Sequence, residues 1–324
     1  MRGKRAQCGG RARRKEQVKK AFILVNTGSP AELSAAACKA FLREFLSDPD
    51  VVPAPFFVRY PLARFIASKR AEAYLANLKK ISRGGVPRLV GTCAGLARKI
   101  AAATGTDTFA AHRYGAFPIA EAIRAARDSG ARDFRFLPMF PQSASSTTFS
   151  VKREVFAHRR EGEIFRFREN YFDDGAYISA LAALFGRFGD RSLPTFASFH
   201  SVPVSQDGKT GYSAQCRKTA ELFASAAGLA DVSAVWQSQM GGPLKWLGPS
   251  ASAEIGRLSA SGVDGVNVIC PGFACDCTET LVEIAEGLKG EFLSRGGKTF
   301  NYVPCLNDSP EHAAALAGIF ERMK

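Results

Sequence analysis

The sequence predicts an α/β protein with two lobes, each built around a parallel sheet. Short apolar runs rich in β-branched and aromatic residues recur along the chain, helical patterns separate them, and the run RFGDRSLP at 187–194 interrupts the alternation. Strands alternating with helices favour parallel sheets, because parallel neighbours require a crossover long enough to hold a helix. A chain of 324 residues with 46% apolar content suffices for two cores of ordinary domain size.

Seven segments carry the strand pattern, and three carry the clearest helical spacing. The predicted strands are 21–26, 108–112, 134–139, 195–200, 232–237, 266–271 and 301–304. The predicted helices are 33–46, 212–227 and 310–323. The polar run Asn307-Asp308-Ser309 before Pro310 is typical of a helix start. With the interruption before residue 195, these elements predict lobes at 21–180 and 181–324.

The N-terminal residues 1–20 are strongly basic, with nine Lys or Arg and one Glu in a chain of net charge +14. They contain no aromatic residue and no apolar periodicity, which predicts a solvated, disordered arm and no nucleic-acid partner. The apolar run 21–25 is too short for a signal peptide, and no stretch approaches the ~20 apolar residues of a membrane span. Eight Cys without an export signal indicate reduced thiols, so a cytoplasmic protein is predicted.

Two short motifs suggest a ligand but fail on spacing. The segment DGKT at 207–210 resembles part of a phosphate-binding loop, but Pro203 stands where that loop requires Gly. Cys270, Cys275 and Cys277 cluster, but their spacing matches no standard zinc or iron–sulfur pattern. Neither nucleotide binding nor a metal–thiolate centre is therefore predicted.

The segment PGFACDCTETLVEIAEGLK at 271–289 places acidic residues at helical spacing. On an α-helix, Asp276, Glu279, Glu283 and Glu286 would fall within about 80° of one another, opposite an apolar face. Two interpretations are open: a solvated face, or a face toward a cation or a proton path. The set directly follows a predicted strand, and ligands of parallel α/β folds bind at strand carboxyl ends, which favours the second.

His200 ends another predicted strand, in the run FASFH, before a turn that contains Pro203. The imidazole would therefore lie at the mouth of the same kind of cleft, although a buried structural histidine is the alternative. The other histidines, at 112, 158 and 312, lack such a setting. His200 is therefore the candidate base.

Nine separated stretches occur in an order that is specific to one protein family. They are VNTGSP at 25, FLREFLSDPDVV at 41, AEAY at 71, RYG at 113, FPQSASSTT at 140, FHSVP at 199, WQSQMG at 236, PGFACDCTETLVEI at 271 and PCLNDSP at 304. In these stretches the chain resembles the ferrochelatases, enzymes that insert ferrous iron into a porphyrin. The resemblance runs from about residue 21 to the C-terminus and is greatest to bacterial members that use protoporphyrin.

The resemblance implies the class II chelatase fold: two Rossmann-like lobes, each a four-stranded parallel sheet flanked by helices, with the porphyrin between them. It implies that His200 and Glu279 are the catalytic pair and also the groups that hold the incoming metal. Asp276, Glu283 and Glu286 would continue as a path for protons or metal. This matches the chemistry, because iron insertion expels two pyrrole protons and needs a base, a proton route and weakly binding ligands.

The resemblance also implies a set of porphyrin-binding residues. They are Asn26, Lys69, Arg70, Arg113, Tyr114 and Ser143. Lys69 and Arg70 would meet the propionates, for which cations are suited, and Arg113 and Tyr114 would line the cavity. Iron is a substrate, and no cofactor is expected, because the chain ends 19 residues after Cys305, without the extension that supplies [2Fe–2S] ligands in some members.

The predicted activity is insertion of ferrous iron into protoporphyrin IX, and three alternatives are open. They are coproporphyrin III as substrate, cobalt or nickel insertion into a reduced tetrapyrrole, and a non-catalytic tetrapyrrole or metal carrier on the same fold. The second is disfavoured, because only one histidine is well placed. Apolar residues within 53–66, with Arg59 and Arg64 among them, predict either an ordinary lobe cap or a lip in peripheral contact with the inner membrane.

Overall fold

The central strands of the protein are short apolar runs buried on both faces, as parallel sheets covered by helices require. In the first strand, β1 (Lys20–Ser29), residues 21–25 are fully buried. The structure, a computed structural model, describes residues 18–239 and 244–324. Residues 1–17 of the predicted arm lie outside these ranges, and Lys20 already belongs to β1.

The first lobe contains four strands and their connecting helices. In chain order its elements are β1, α1 (Ala35–Leu46), α2 (Phe56–Ile81), α3 (Arg88–Thr104), β2 (Thr108–Gly115), α4 (Ile119–Asp128), β3 (Asp133–Pro138), a short π-helix (Ser145–Phe149), α5 (Ser150–Ala157), β4 (Ile164–Phe167) and α6 (Gly175–Phe188). The sequence pattern missed β4, because this four-residue strand is only partly buried and includes a charged Arg166. The predicted lobe boundary after residue 180 falls inside α6.

The second lobe repeats this alternation. Its elements are β5 (Thr195–His200), α7 (Val204–Thr210), α8 (Tyr212–Ala227), β6 (Val232–Gln237), α9 (Ala251–Ala260), β7 (Gly265–Ile269), a long π-helix (Glu279–Leu288), α10 (Lys289–Ser294), β8 (Thr299–Val303) and α11 (Pro310–Arg322). Ser309 caps α11 by accepting a hydrogen bond from the His312 amide, and Pro310 occupies the first turn, as the sequence predicted.

Both sheets are parallel and have the same strand order. The first runs β2-β1-β3-β4 and the second β6-β5-β7-β8, so the predicted pair of four-stranded parallel sheets is confirmed. In the second sheet β5 pairs with β6 along its whole length, but with β7 only from Thr195 to Ala197. The carboxyl ends of β5 and β7 therefore diverge, and a crevice opens between them at the point where the strand order reverses.

One apolar core spans both lobes. It includes Phe22 and Leu24 of the first lobe together with Phe199, Leu316 and Phe320 of the second. The rings of Phe22 and Phe320 are stacked, with centroids 4.5 Å apart. The last helix, α11, thus packs against the first lobe, where it also contacts α3 and α6.

Candidate active site

A cavity lies between the lobes, lined by residues at the carboxyl ends of β1 and β3 of the first lobe and of β5 of the second. Asn26 of β1, Met139 after β3, His200 at the end of β5 and the loop after β7 all contribute to its wall. The apolar part of the lining is formed by Phe41, Leu42, Phe45, Tyr74, Leu78, Ile81, Leu89, Phe140, Val202 and Phe273. A largely apolar wall with a few polar groups is typical of a site for an apolar organic ligand.

His200 is half-buried and faces this cavity from the end of β5. Its Nδ1 atom lies 2.7 Å from the backbone oxygen of Ser201. A carbonyl oxygen only accepts, so Nδ1 carries the proton and the neutral ring keeps its lone pair on Nε2. The Tyr212 hydroxyl donates to the His200 carbonyl at 3.0 Å and holds the backbone of the strand end. His200 therefore presents a base to the cavity.

Glu279 begins the long π-helix and lines the same cavity. Its carboxylate accepts a hydrogen bond from Thr278 Oγ1 at 2.8 Å, and its backbone oxygen accepts one from Gln237 Nε2 at 2.7 Å. Gln237 is the register partner of His200 in the sheet and also accepts from the Ser198 hydroxyl. The buried Gln237 amide thus connects the two candidate catalytic residues through the backbone.

Glu283 and Glu286 lie further along the π-helix, and neither lines the cavity. Glu283 is half-buried and accepts from the backbone N–H and the hydroxyl of Ser238, both at 2.6 Å. Glu286 is exposed and pairs with Lys80 of α2 at 3.2 Å. A π-helix holds more residues in each turn than an α-helix, so the side chains are not stacked on one narrow face as the α-helical spacing predicted.

Asp276 lies in the loop before the π-helix, so the prediction that it shares a helix face with the three glutamates was wrong. The residue is 1% exposed, and its carboxylate is surrounded by donors. The donors are Tyr302 Oη at 2.6 Å, Asn307 Nδ2 at 2.8 Å, Thr280 Oγ1 and the Cys305 amide at 3.2 Å, and Arg88 Nη2 at 3.3 Å. Several donors on one buried carboxylate are typical of a charged group that anchors a loop.

The ferrochelatase family model matches residues 19–324 of this chain. The chain belongs to the ferrochelatase family. Similar ferrochelatases include that of Azoarcus sp. (strain BH72), 38% identical over 312 residues that cover 91% of this chain and 85% of the relative. The ferrochelatase of Stenotrophomonas maltophilia is 35% identical, over an alignment that covers 92% of this chain and 95% of the relative. The chain is accordingly a metal chelatase of the lyase class that inserts iron into a porphyrin.

Solved chelatase structures share the architecture of this ferrochelatase-family chain. SirB from Bacillus subtilis with Fe³⁺ superposes with a TM-score of 0.59 at 10% identity, over 93% of both chains. CbiX, described as the terminal enzyme of sirohaem biosynthesis in denitrifying bacteria, gives a TM-score of 0.50 at 13% identity, over 94% of this chain and all of the other. At such identities the likeness concerns the fold alone, and it confirms the predicted class II chelatase fold.

Two residues expected from the ferrochelatase resemblance to line the cavity lie elsewhere. Arg113 Nη2 and the Tyr114 hydroxyl both donate to Asp48 Oδ2, at 2.7 and 2.9 Å, and Ser150 donates to the same atom. Arg153 also pairs with Asp48. Burial of Asp48 requires this compensation, so Arg113 and Tyr114 are held in the first lobe and do not reach the cavity lining.

The remaining ferrochelatase-derived porphyrin contacts are divided between the cavity and other surfaces. Asn26 lines the cavity, and its contact with porphyrin stays a prediction. Ser143 is buried outside the lining, where its amide donates to Gln215 and its hydroxyl donates to the Glu169 carbonyl. Lys69 and Arg70 are exposed on α2, also outside the lining.

Arg88, which the sequence analysis did not single out, is the only Lys or Arg among the described residues that line the cavity. Its Nη2 contacts Asp276, while its buried Nε has no hydrogen-bond partner among the described residues. A lone Arg at the first position of a helix carries no distinctive sequence signal. Its position became apparent only when the fold placed the start of α3 against the loop after β7.

Proposed function

We propose that this member of the ferrochelatase family inserts ferrous iron into protoporphyrin IX, with His200 as the base and Glu279 as its partner. The observation that carries the proposal is that His200 from β5 and Glu279 from the π-helix line one largely apolar cavity. The apolar wall suits the face of a macrocycle, and the two polar residues supply the proton-transfer chemistry.

The reaction replaces two pyrrole protons with one Fe²⁺, so the site must accept protons while it delivers metal. His200 Nε2 accepts a proton because Nδ1 donates to Ser201. Imidazole and carboxylate also hold Fe²⁺ without the tight binding that is typical of thiolate ligands. This suits a metal that must be passed on to the ring. In this proposal His200 and Glu279 therefore both hold the incoming iron and take up protons.

The route away from the cavity follows the π-helix. Glu279 lies at the cavity, Glu283 is half-buried behind it, and Glu286 is exposed. In this proposal protons or metal pass along these carboxylates from the cavity to the solvent. Asp276 contributes to this route by positioning the start of the π-helix, because its carboxylate joins Thr280 of that helix to Tyr302 of β8 and Arg88 of α3.

Protoporphyrin IX is favoured over coproporphyrin III by the charge of the wall. Protoporphyrin carries two propionates and coproporphyrin carries four, whereas Arg88 is the only Lys or Arg of the described lining. Each carboxylate left without a donor against an apolar wall costs about 1–3 kcal/mol or more. We therefore place one propionate on Arg88, which lines the cavity beside the loop after β7, and leave the other at the cavity mouth.

The test measures anaerobic insertion of Fe²⁺ into each porphyrin, monitored by the change in the porphyrin's absorbance. We expect kcat/KM for protoporphyrin to exceed that for coproporphyrin by about tenfold or more, which corresponds to about 1.4 kcal/mol. Equal or higher kcat/KM for coproporphyrin would reverse the substrate assignment. Porphyrin binding without insertion of Fe²⁺ or Zn²⁺ would instead indicate a carrier.

The N-terminal half of α2 presents the predicted apolar lip. Phe56, Phe57 and Phe65 are 67%, 76% and 63% exposed. The C-terminal half of the same helix lines the cavity through Tyr74 and Leu78. No helix of the described residues is long and apolar enough to span a bilayer. We propose that this lip makes peripheral contact with the cytoplasmic side of the inner membrane, where an apolar porphyrin is transferred along α2.

Flotation with anionic phospholipid vesicles tests the lip. We expect Phe57→Glu to reduce the vesicle-bound fraction of the protein several-fold. The substitution removes apolar area that membrane contact would bury, and it adds a negative charge that the anionic headgroups repel. Phe188→Glu is the matched control, since Phe188 is also an exposed phenylalanine but lies at the end of α6. Equal vesicle binding by the wild type and Phe57→Glu would mean that the lip is an ordinary lobe cap and does not contact the membrane.

A further inference from the structure

The end of β6 contacts the π-helix through two successive residues. Gln237, the last residue of β6, is 3% exposed, and its Nε2 donates to the Glu279 carbonyl at 2.7 Å. The next residue, Ser238, donates its backbone N–H to one carboxylate oxygen of Glu283 and its hydroxyl to the other, both at 2.6 Å. Two adjacent residues therefore hold two glutamates of the predicted proton route.

Gln237 is itself fixed by the strand that ends in His200. Its backbone oxygen accepts from the Ser201 amide at 2.8 Å, and its side-chain oxygen accepts from the Ser198 hydroxyl at 2.8 Å. With Nε2 on the π-helix, both polar atoms of the buried side chain are engaged. A satisfied buried network of this kind is rigid, so β6 relates the position of β5 to the start of the π-helix.

Ser238 reaches Glu283 through a strained backbone conformation. Its φ of 59° lies in the left-handed region, which glycine adopts freely and a residue with a Cβ adopts at a cost. Its neighbours hold it there, because Gln237 belongs to β6 and Gln239 Nε2 donates to the Leu247 carbonyl at 2.6 Å. Strain that the surrounding contacts maintain is concentrated at functional sites. The chain thus has a serine where glycine would fit with less strain.

The hydroxyl is what serine supplies at this position and glycine would not. Together with the N–H it contacts both oxygens of Glu283 and fixes the plane of the half-buried carboxylate. An N–H only donates, whereas a hydroxyl donates and accepts, so the Oγ contact can persist when the carboxyl receives a proton. Without the hydroxyl, Glu283 would be held through one oxygen and would rotate more freely.

We propose that Ser238 is a positioning residue for proton transfer: it fixes the Glu283 carboxylate behind Glu279, while Gln237 fixes the start of the π-helix. This inference rests on the proposed function, because Ser238 affects the reaction only if protons leave the cavity through Glu283. Neither Gln237 nor Ser238 lines the cavity, so neither should change porphyrin binding directly. The hydroxyl accounts for a serine at a backbone position that favours glycine.

Ser238→Gly separates this role from a structural one. The variant removes the hydroxyl and relieves the strain, but it keeps the N–H bond to Glu283. We expect kcat for anaerobic Fe²⁺ insertion into protoporphyrin to fall about fivefold, with an unchanged KM for protoporphyrin. Ser238→Ala loses the same hydroxyl and keeps the strain, so it should show the same loss of kcat and unfold at a lower urea concentration than Ser238→Gly.

Ser252→Ala is the matched control for these variants. Ser252 also donates its hydroxyl to a glutamate, Glu291 at 2.7 Å, but this contact is exposed and lies on α9. We expect wild-type kcat and KM in this variant. Wild-type kcat in both Ser238→Gly and Ser238→Ala would overturn the proposal, because Ser238 would then only anchor the helix.

A double-mutant cycle tests whether Ser238 acts through Glu283. We expect Glu283→Gln to lower kcat about tenfold and the addition of Ser238→Gly to lower it no further. Multiplied losses in the double variant would place the effect of Ser238 elsewhere and overturn the proposal. If Glu283→Gln keeps wild-type kcat while His200→Ala loses activity, the route through Glu283 and the role of Ser238 both fail, and the proposed base remains.

Discussion

The two lobes share one sheet topology but contribute different chemistry to the cavity. In the first lobe the central strand β1 places the neutral Asn26 in the wall, while in the second the equivalent strand β5 ends in His200. The glutamates of the predicted proton route also belong to the second lobe, on the π-helix. A repeated scaffold thus provides two strand ends that face each other, and the side chains at those ends decide which lobe binds and which reacts.

The two sheets also differ in how far their central strands pair, and the proposed base lies where the pairing stops earlier. In the first sheet β1 pairs with β3 as far as Val25 and Pro138, one residue before Asn26. In the second sheet the pairing of β5 with β7 stops at Ala197, three residues before His200. On the side that faces β7, the longer free end of β5 leaves room for the π-helix, and Glu279 lines the same cavity as His200.

Substitution of His200 should produce the largest effect. In His200→Ala we expect kcat to fall by about 10²–10⁴-fold, as for the loss of a general base, while porphyrin binding measured by fluorescence quenching changes little. His158→Ala is the control, since His158 is a surface residue that pairs with Glu154. A His200→Ala enzyme that retains more than a tenth of wild-type kcat would remove His200 from the proton-transfer step.

Substitutions of the glutamates on the π-helix should lower kcat by different amounts, depending on how far each glutamate lies from the cavity. We expect Glu279→Gln, which keeps the shape of the cavity-lining side chain and removes its charge, to lower kcat by about 10²-fold. Glu286→Gln should change kcat by less than about twofold, because the side chain is solvated and its pairing with Lys80 is exposed. Steady-state kinetics with Fe²⁺ compares the two variants. Similar losses would mean that the whole acidic series acts together.

Asp48 in the first lobe and Asp276 in the second are both buried aspartates bonded to arginine, and substitutions of the two compare the lobes in stability. Asp48→Asn and Asp276→Asn should each destabilise the fold by about 3–5 kcal/mol, because each leaves a mostly buried guanidinium without its nearest carboxylate. Only Asp276→Asn should also reduce kcat at a temperature where both variants are folded. Urea unfolding measures the free energy of unfolding of each variant. An unchanged kcat in Asp276→Asn would mean that Asp276 anchors the loop without contributing to catalysis.

The smallest expected effect is the acid sensitivity contributed by the first lobe. Burial alone would raise the pKa of Asp48, but hydrogen bonds from Arg153, Ser150 and Tyr114 outweigh it and lower the pKa. A lowered folded-state pKa stabilises the protein above the ordinary value of about 3.9, and this contribution is lost as the pH falls through the folded-state value. Between about pH 5 and pH 2, thermal unfolding of Asp48→Asn should therefore depend less on pH than that of the wild type. Parallel curves would contradict this.

The sequence was informative where the signal is local. Apolar runs located seven strands, helical spacing located α8, and the position of His200 after a buried run indicated a strand-end base. The π-helix was not predictable, because its backbone bonds differ from those of an α-helix while the residue pattern is similar. The partners of Asp276 and Arg113 were not predictable either, since the contacting residues are up to 188 positions away in the chain.

The packing of α11 against β1 has a consequence for synthesis on the ribosome. Lys20 and Glu321 form an ion pair across 301 positions, and Phe320 completes the apolar layer over Phe22. The first lobe emerges with this layer uncovered and cannot bury it until the helix at 310–322 has been made. Chains grow at about 5–20 residues per second, so this apolar strand face stays exposed for many seconds during synthesis. We expect a chaperone to bind the exposed face during that time.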